Sequence, residues 1–281
     1  MSPEEVAAAG QLACLLEVSA PKPGNVSPQL HFHDTRYEDF LASAVAIGPA
    51  LAAAADRPLG VTIRSAIEAT VRWTGSNTNL GIVLLLAPLA RAARRVNGTL
   101  RQHLSVVLAG TTVADAAEVY GAIRRARPGG LGQAAAEDVS AAPTVTLRAA
   151  MALAAERDAV AREYTTDYGI TFEVAAPALR AARRAGLDWT QATVECYLSL
   201  LAAVPDTHIG RKLGAGEAER VSRRAEEVRA AGGVRSLEGR RALAAFDAEL
   251  RDPRNTRNPG STADLTCAAL FVVIIEGGWD R

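Results

Sequence analysis

Two apolar runs, Ile82–Leu89 and Cys267–Ile275, constrain this chain more than any other feature. Both are too short to span a bilayer. Each is entered through a polar turn: Thr74-Gly75-Ser76-Asn77-Thr78-Asn79-Leu80-Gly81 before the first, Asn258-Pro259-Gly260-Ser261-Thr262-Ala263-Asp264-Leu265 before the second. An apolar run with no polar face reads as a buried helix. The free N–H groups and partial positive charge at such a helix start suit an anion such as phosphate. A capped turn with no ligand is the alternative, because Asn, Ser and Thr also cap helices.

The rest of the chain repeats this design. Apolar residues recur at helical spacing in roughly ten or eleven segments, and no run alternates with the period of a strand. The expected fold is therefore all-α, a single compact multi-helix domain over residues 1–281. Abundant alanine with only 5% aromatic residues favours close-packed helices over sheets. Ser2-Pro3-Glu4-Glu5 is a capping box that opens a helix to about Val18, and Thr35 with Glu38 opens another over 36–55. Further helices are expected at 59–73, 80–96, 100–109, 113–127, 145–163, 172–185, 191–204, 218–230 and 237–251, before the last apolar one. Arg124, Arg125 and Arg127 read as a solvated face. From Pro128 to Pro143 runs the longest irregular zone, the one place for a domain boundary. Its Glu137 and Asp138 make it a candidate ligand loop or lid.

Charge narrows the partners. Lys+Arg and Asp+Glu both number 31, so no basic field recruits nucleic acid or an anionic membrane. Met1 leads into an acidic segment unlike a secretory signal. Cys14, Cys196 and Cys267 are scattered through apolar helical patterns, which fits buried, reduced thiols and a cytoplasmic protein.

Five loops, 21–34, 74–81, 129–138, 206–214 and 258–264, place polar clusters at the ends of apolar helices. The first carries Lys22 and Asn25 on a rigid Pro/Gly turn, then His31, His33 and Asp34, all of metal-ligand type. The fourth packs Asp206, His208, Arg211 and Lys212 together; a carboxylate there can hold Mg²⁺ or act as a base, and the cations can neutralise phosphates. Converged, the loops would supply carboxylates for a divalent cation, cations for phosphates and amides for a sugar or base. No phosphate-binding motif of the Walker or dinucleotide type is present, and the parts of a Ser-His-Asp triad lack a nucleophile elbow.

In order, these motifs resemble triphosphoribosyl-dephospho-coenzyme A synthases, which serve the prosthetic groups of citrate and malonate lyases. The resemblance runs through Glu17…Pro21-Lys22-Pro23-Gly24-Asn25-Val26, Glu38-Asp39-Phe40…Ser43-Ala44…Ile47 and Asn77-Thr78-Asn79…Gly81. It continues through Asp206-Thr207…Arg211, Gly232-Gly233-Val234-Arg235 and Phe246-Asp247 to Asn258–Leu265. It implies an all-helical, Mg²⁺-dependent enzyme that moves the triphosphoribosyl unit of ATP to the ribose 2′-hydroxyl of dephospho-CoA and releases adenine. By the same resemblance Asp206 and Asp264 are catalytic and, with Asp34, metal ligands. Lys22, Arg211 and Lys212 face phosphates, and Asn25, Ser76, Asn77, Asn79 and Ser261 position ribose or phosphate oxygens. The implied partners are ATP, a dephospho-CoA-like acceptor and, for an alanine-rich helical protein, further copies of the chain.

Two departures stand out. The synthases show Asn-Thr-His-Lys-Gly where this chain has Asn77-Thr78-Asn79-Leu80-Gly81, and Gly-Ala-Arg-Gly-Glu where it has Gly129-Gly130-Leu131-Gly132-Gln133. These imply a divergent, archaeal-like branch that keeps the nucleotide side and changes the acceptor. Related transfer or N-glycosidic hydrolysis in another cofactor pathway, such as that of a one-carbon pterin cofactor, is one alternative. A non-catalytic nucleotide-binding protein is the other.

Overall fold

A computed structural model describes residues 1–130, 132–134 and 136–279. In chain order its α-helices are α1 (Pro3–Ser19), α2 (Tyr37–Ala46), α3 (Gly48–Ala52), α4 (Leu59–Val71), α5 (Leu80–Ala93), α6 (Leu100–Ala109), α7 (Val113–Ala126) and α8 (Leu147–Ala154). There follow α9 (Ala159–Thr165), α10 (Ala176–Arg184), α11 (Trp189–Ala203), α12 (Thr207–Leu213), α13 (Ala215–Ala230), α14 (Leu237–Leu250) and α15 (Gly260–Ile275). Among the described residues there is no strand beyond one isolated bridge between Ser27 and Leu30. The expected all-α class holds, with fifteen α-helices among the described residues in place of ten or eleven.

The extra helices have local causes. The segment 36–55 breaks into α2 and α3 because Pro49, which has no N–H to give, starts a new helix. Its capping box also sits one residue later than expected: the Arg36 N–H donates to Asp39, while the Thr35 hydroxyl turns to Asp34. Segment 145–163 divides into α8 and α9 at Asp158, whose carboxylate accepts from the N–H groups of Val160 and Ala161. The polar stretch after Asp206 is itself a helix, α12. The capping box at Ser2 and Glu5 forms as the sequence indicates.

Helices α5 and α15 are the centre. Twelve of the fourteen residues of α5 and twelve of the sixteen of α15 are buried, so neither presents a wet face. α15 packs on α1, α5, α10 and α11, and α5 also packs on α4 and α6. Pro88 inside α5 leaves the Leu84 carbonyl without its helical donor. The fully buried Tyr164 supplies one instead, its hydroxyl donating to Leu84 O at 2.7 Å, while Tyr168 donates to Leu85 O at 3.0 Å. A second apolar cluster, around α11, α13 and α14, joins the first through residues of α11 and α15. All three cysteines are free and buried, and Cys14 and Cys267 bring α1 and α15 into contact at 3.7 Å between sulfurs. Among the described residues no single helix is long and apolar enough to cross a membrane.

Candidate active site

The first turns of α5 and α15 touch. A Cβ on Gly81 would stand 2.0 Å from Oδ2 of Asp264, so only glycine lets the two helix starts approach this closely. A Cβ on Gly260 would likewise stand 2.5 Å from Nδ1 of His208, on α12. Three helix starts thus crowd around one carboxylate.

On either side of this junction lies a cavity. One, of about 380 Å³, is polar and draws residues from all five loops: Asn25 and Asp34, Ser76 to Gly81, Gly129, His208 and Lys212, and Asn258, Gly260, Ala263 and Asp264. The other, of about 220 Å³, is more apolar and is walled by Leu84, Val119, Ile123, Leu147 and Met151, with Arg211 and Asp158 at its edge. Asn77, Leu80, Gly81, Gly129, His208 and Asp264 line both. The loops therefore converge, and Asp264 stands in the wall between the two spaces.

Asp264 is chemically exposed although half-buried. Its carboxylate has no hydrogen-bond or ion-pair partner among the described residues. Burial pushes its pKa well above the ordinary carboxylate range, and the charges of Glu17, Asp206 and Asp158 push the same way against Arg211. His208 shifts oppositely: burial, then the charges of Lys212 and Arg211, hold the imidazole down to about 3, so it is neutral at physiological pH. Its Nε2 is buried without a partner. Lys212, Arg127 and Arg254 face the polar cavity with no carboxylate partner among the described residues. Together they form a cationic rim above two helix starts that also favour negative charge.

The other residues singled out from the sequence take different tasks. Asp206 lines neither cavity. It caps α12, Oδ1 accepting from His208 and Ile209 N–H at 2.9 and 3.0 Å. Its Oδ2 accepts from the N–H and hydroxyl of Thr262 at 2.8 and 2.7 Å. Both oxygens accept two hydrogen bonds each, so Asp206 joins α12 to α15 at the position where a catalytic and metal role is expected. Lys22 is buried too, 3.0 Å from Glu17 and donating to the Ala20 carbonyl at 3.1 Å, so its charge is used inside the fold instead of facing phosphate. Asp34 reaches the polar cavity, but Asp34, Asp206 and Asp264 do not meet. Among the described residues no three ligand-type side chains form a cluster able to hold a metal ion.

Of the remaining residues, Arg211 pairs with Asp158. The Ser76 hydroxyl donates to Asp34 O at 2.9 Å and ties two loops together. Asn77 caps α5, accepting from Leu80 N–H at 3.1 Å, and the hydroxyls of Ser261 and Thr207 share a hydrogen bond of 2.9 Å. Glu137 and Asp138 line the apolar cavity yet chiefly hold their own loop: Glu137 accepts from Thr144, and Asp138 from Ala134 N–H and Ser140. Those bonds hold the Asp138 pKa down to about 2. Tyr120 anchors the loop at the Glu137 carbonyl. Leu80 lines both cavities, while Leu131 lies outside the described residues.

Four residues that line the polar cavity carry no expected role in the site: His208, Arg127, Arg254 and Asn258. The spacing of His208, Arg211 and Lys212, three and four residues apart on one short helix, was the available signal for the first. Arg127 reads as solvated but turns to the cavity because it ends α7 in a left-handed conformation, φ 50°. Nothing in the sequence marks that.

A family model described as CitG, ATP:dephospho-CoA triphosphoribosyl transferase, matches residues 3–281. The chain is 36% identical over 96 residues to the "Probable 2-(5''-triphosphoribosyl)-3'-dephosphocoenzyme-A synthase" of Stutzerimonas stutzeri, covering 34% of this chain and 32% of that protein. It is 33% identical over 104 residues to the 2-(5''-triphosphoribosyl)-3'-dephosphocoenzyme-A synthase of Klebsiella pneumoniae, covering 37% and 36%. The aligned stretches thus span about a third of these curated relatives' lengths. A solved structure described as "putative triphosphoribosyl-dephospho-coA synthase" from Archaeoglobus fulgidus superposes with a TM-score of 0.65 at 26% identity, over 84% of this chain and 99% of that one.

Proposed function

Since the chain belongs to the CitG family of ATP:dephospho-CoA triphosphoribosyl transferases, we propose that it moves the triphosphoribosyl unit of ATP to the 2′-hydroxyl of dephospho-CoA or a related acceptor. The observation that carries this reading is the place of Asp264, unpartnered in the wall between a cationic cavity and an apolar one. The ribosyl triphosphate lies in the polar cavity against Lys212, Arg127 and Arg254. The acceptor's adenosyl end enters from the apolar side. The acceptor oxygen attacks C1′ of ATP while its proton passes to Asp264; the C1′–N9 bond breaks, and adenine leaves with that electron pair and takes up a proton. The transition state has oxocarbenium character, as in other glycosyl transfers.

A raised pKa makes Asp264 a stronger base once ionised than an exposed aspartate. Mg²⁺ belongs to this reading only as a companion of the triphosphate. The three aspartates do not build a site for it, and no step is assigned to it. One feature favours a modified acceptor: Leu80 lines both cavities and offers no charge where the synthases carry lysine. The test is chromatography of the products from protein, ATP, Mg²⁺ and dephospho-CoA. Free adenine that depends on the acceptor is expected. Adenine released without acceptor would mean hydrolysis, and none with any pantetheine-containing or pterin acceptor would sink the proposal.

A further inference from the structure

The polar cavity holds an arrangement that phosphate binding does not explain. Asn25, Asn79 and Asn258 each leave one buried amide atom without a partner there: Nδ2 of Asn25, Oδ1 of Asn79 and Oδ1 of Asn258. Asn25 and Asn79 are 6% and 4% exposed, so water does little to satisfy them. Their orientations follow from their other bonds. Asn25 Oδ1 accepts from Val26 N–H at 2.8 Å, which leaves its NH₂ as the unpartnered group. Asn79 Nδ2 donates to Thr70 Oγ1 at 3.0 Å, which leaves its carbonyl as the unpartnered group.

A buried polar atom without a partner costs stability, and native proteins rarely keep several in one place. A phosphate has only acceptor oxygens and repels amide carbonyls. The two carbonyls therefore require a ligand that brings O–H or N–H donors, and the free NH₂ requires an acceptor beside them. A vicinal diol offers both: two hydroxyl protons to give and oxygens to receive.

We propose that Asn25, Asn79 and Asn258 form a ribose-reading pocket for a ribonucleoside 5′-triphosphate. The 2′- and 3′-hydroxyls donate to the carbonyls of Asn79 and Asn258, and one hydroxyl oxygen accepts from Asn25. This rests on the triphosphoribosyl transfer reading, since it places the nucleotide donor in the polar cavity. The pocket makes the site discriminate ribo- from deoxyribonucleotides, because a missing hydroxyl leaves a buried carbonyl unpaired.

The test is equilibrium binding of ATP, 2′-deoxy-ATP, 3′-deoxy-ATP and dephospho-CoA by calorimetry, on the full chain and on Asn79→Ala and Asn258→Ala. ATP is expected to bind about tenfold or more tightly than either deoxy analogue, the size of one unpaired buried group. Each alanine variant should bring the ratio for one hydroxyl to near one. Because the readout is a ratio, partial loss of folded protein does not move it, and the unsubstituted chain tests the hydroxyl preference even if Asn79→Ala fails to fold. Equal affinity for ATP and both deoxy analogues overturns the inference while leaving the transfer reading intact. Selective loss of dephospho-CoA binding in the variants also overturns it, by assigning the pocket to the acceptor. No binding of ATP at all defeats the transfer reading itself.

Discussion

Replacing Asp264 by asparagine should make the protein more stable at neutral and alkaline pH while nearly abolishing turnover. The wild-type carboxylate has no partner among the described residues and sits near the charges of Glu17, Asp206 and Asp158. Its pKa is raised in the folded state, so the folded form holds the proton more tightly than the unfolded chain. Its best contribution to stability is therefore present below the unfolded value, about 3.9, and is lost as pH rises through the folded one. Asparagine mimics the protonated group at every pH. The gain should be about 1–3 kcal/mol at pH 8, the cost of a buried polar group without its partner. For a chain of this size that is an increase of about 2–6 °C in Tm, at about 2 °C per kcal/mol.

Thermal melts of both proteins between pH 4 and 8 provide the assay, with adenine release followed in parallel. The difference should shrink towards zero as the pH approaches 4. Loss of the base should cost about 10²–10⁴-fold in rate. A variant less stable than wild type at pH 8, or a gain that persists undiminished at pH 4, would refute the account of Asp264 as an unpaired, strained carboxylate. Full activity in the variant would remove it from the proton transfer.

Asp206→Asn should act in the opposite sense. The new NH₂ cannot accept from Thr262, so the joint between α12 and α15 fails and stability falls by about 1–3 kcal/mol, read as a lower denaturant midpoint. Gly81→Ala forces a methyl group against Asp264, whose nearest oxygen would lie 2.0 Å away. The expected cost is about 1–3 kcal/mol, with a drop in kcat larger than the stability loss alone would produce; unchanged kcat would count against the site.

What could be read from the sequence follows a physical division. The buried helices were legible because apolar periodicity is local, and the two polar turns were legible because helix starts have a local chemistry. Gly81 and Asp264 lie in those turns, and the structure joins them. Asp206 and Asp264 could not be told apart, since an aspartate at a helix start looks the same whether it caps or reacts. The difference is Thr262, far along the chain, which fills one aspartate and leaves the other free. Lys22 follows the same division: its partner Glu17 lies on the helix before the turn, and only the fold points one at the other. Breaks at Pro49 and Asp158 had visible signals that the apolar pattern overrode. The left-handed residue Arg127 had none.

The central position of α5 and α15 has a consequence for how ligands come and go. These helices are at once the floor of the site and the middle of the core, so exposing Asp264 from below means unfolding the molecule. Local opening belongs instead to segments with little buried apolar surface, here the turns at 127–130, 136–146 and 252–258 at the cavity mouths. On the proposed reading, substrate admission and product escape are therefore thermodynamically separate from the carboxylate that takes the proton. The outer turns can change in length and charge, and with them the acceptor that is admitted, without disturbing the two helix starts that frame the proposed site.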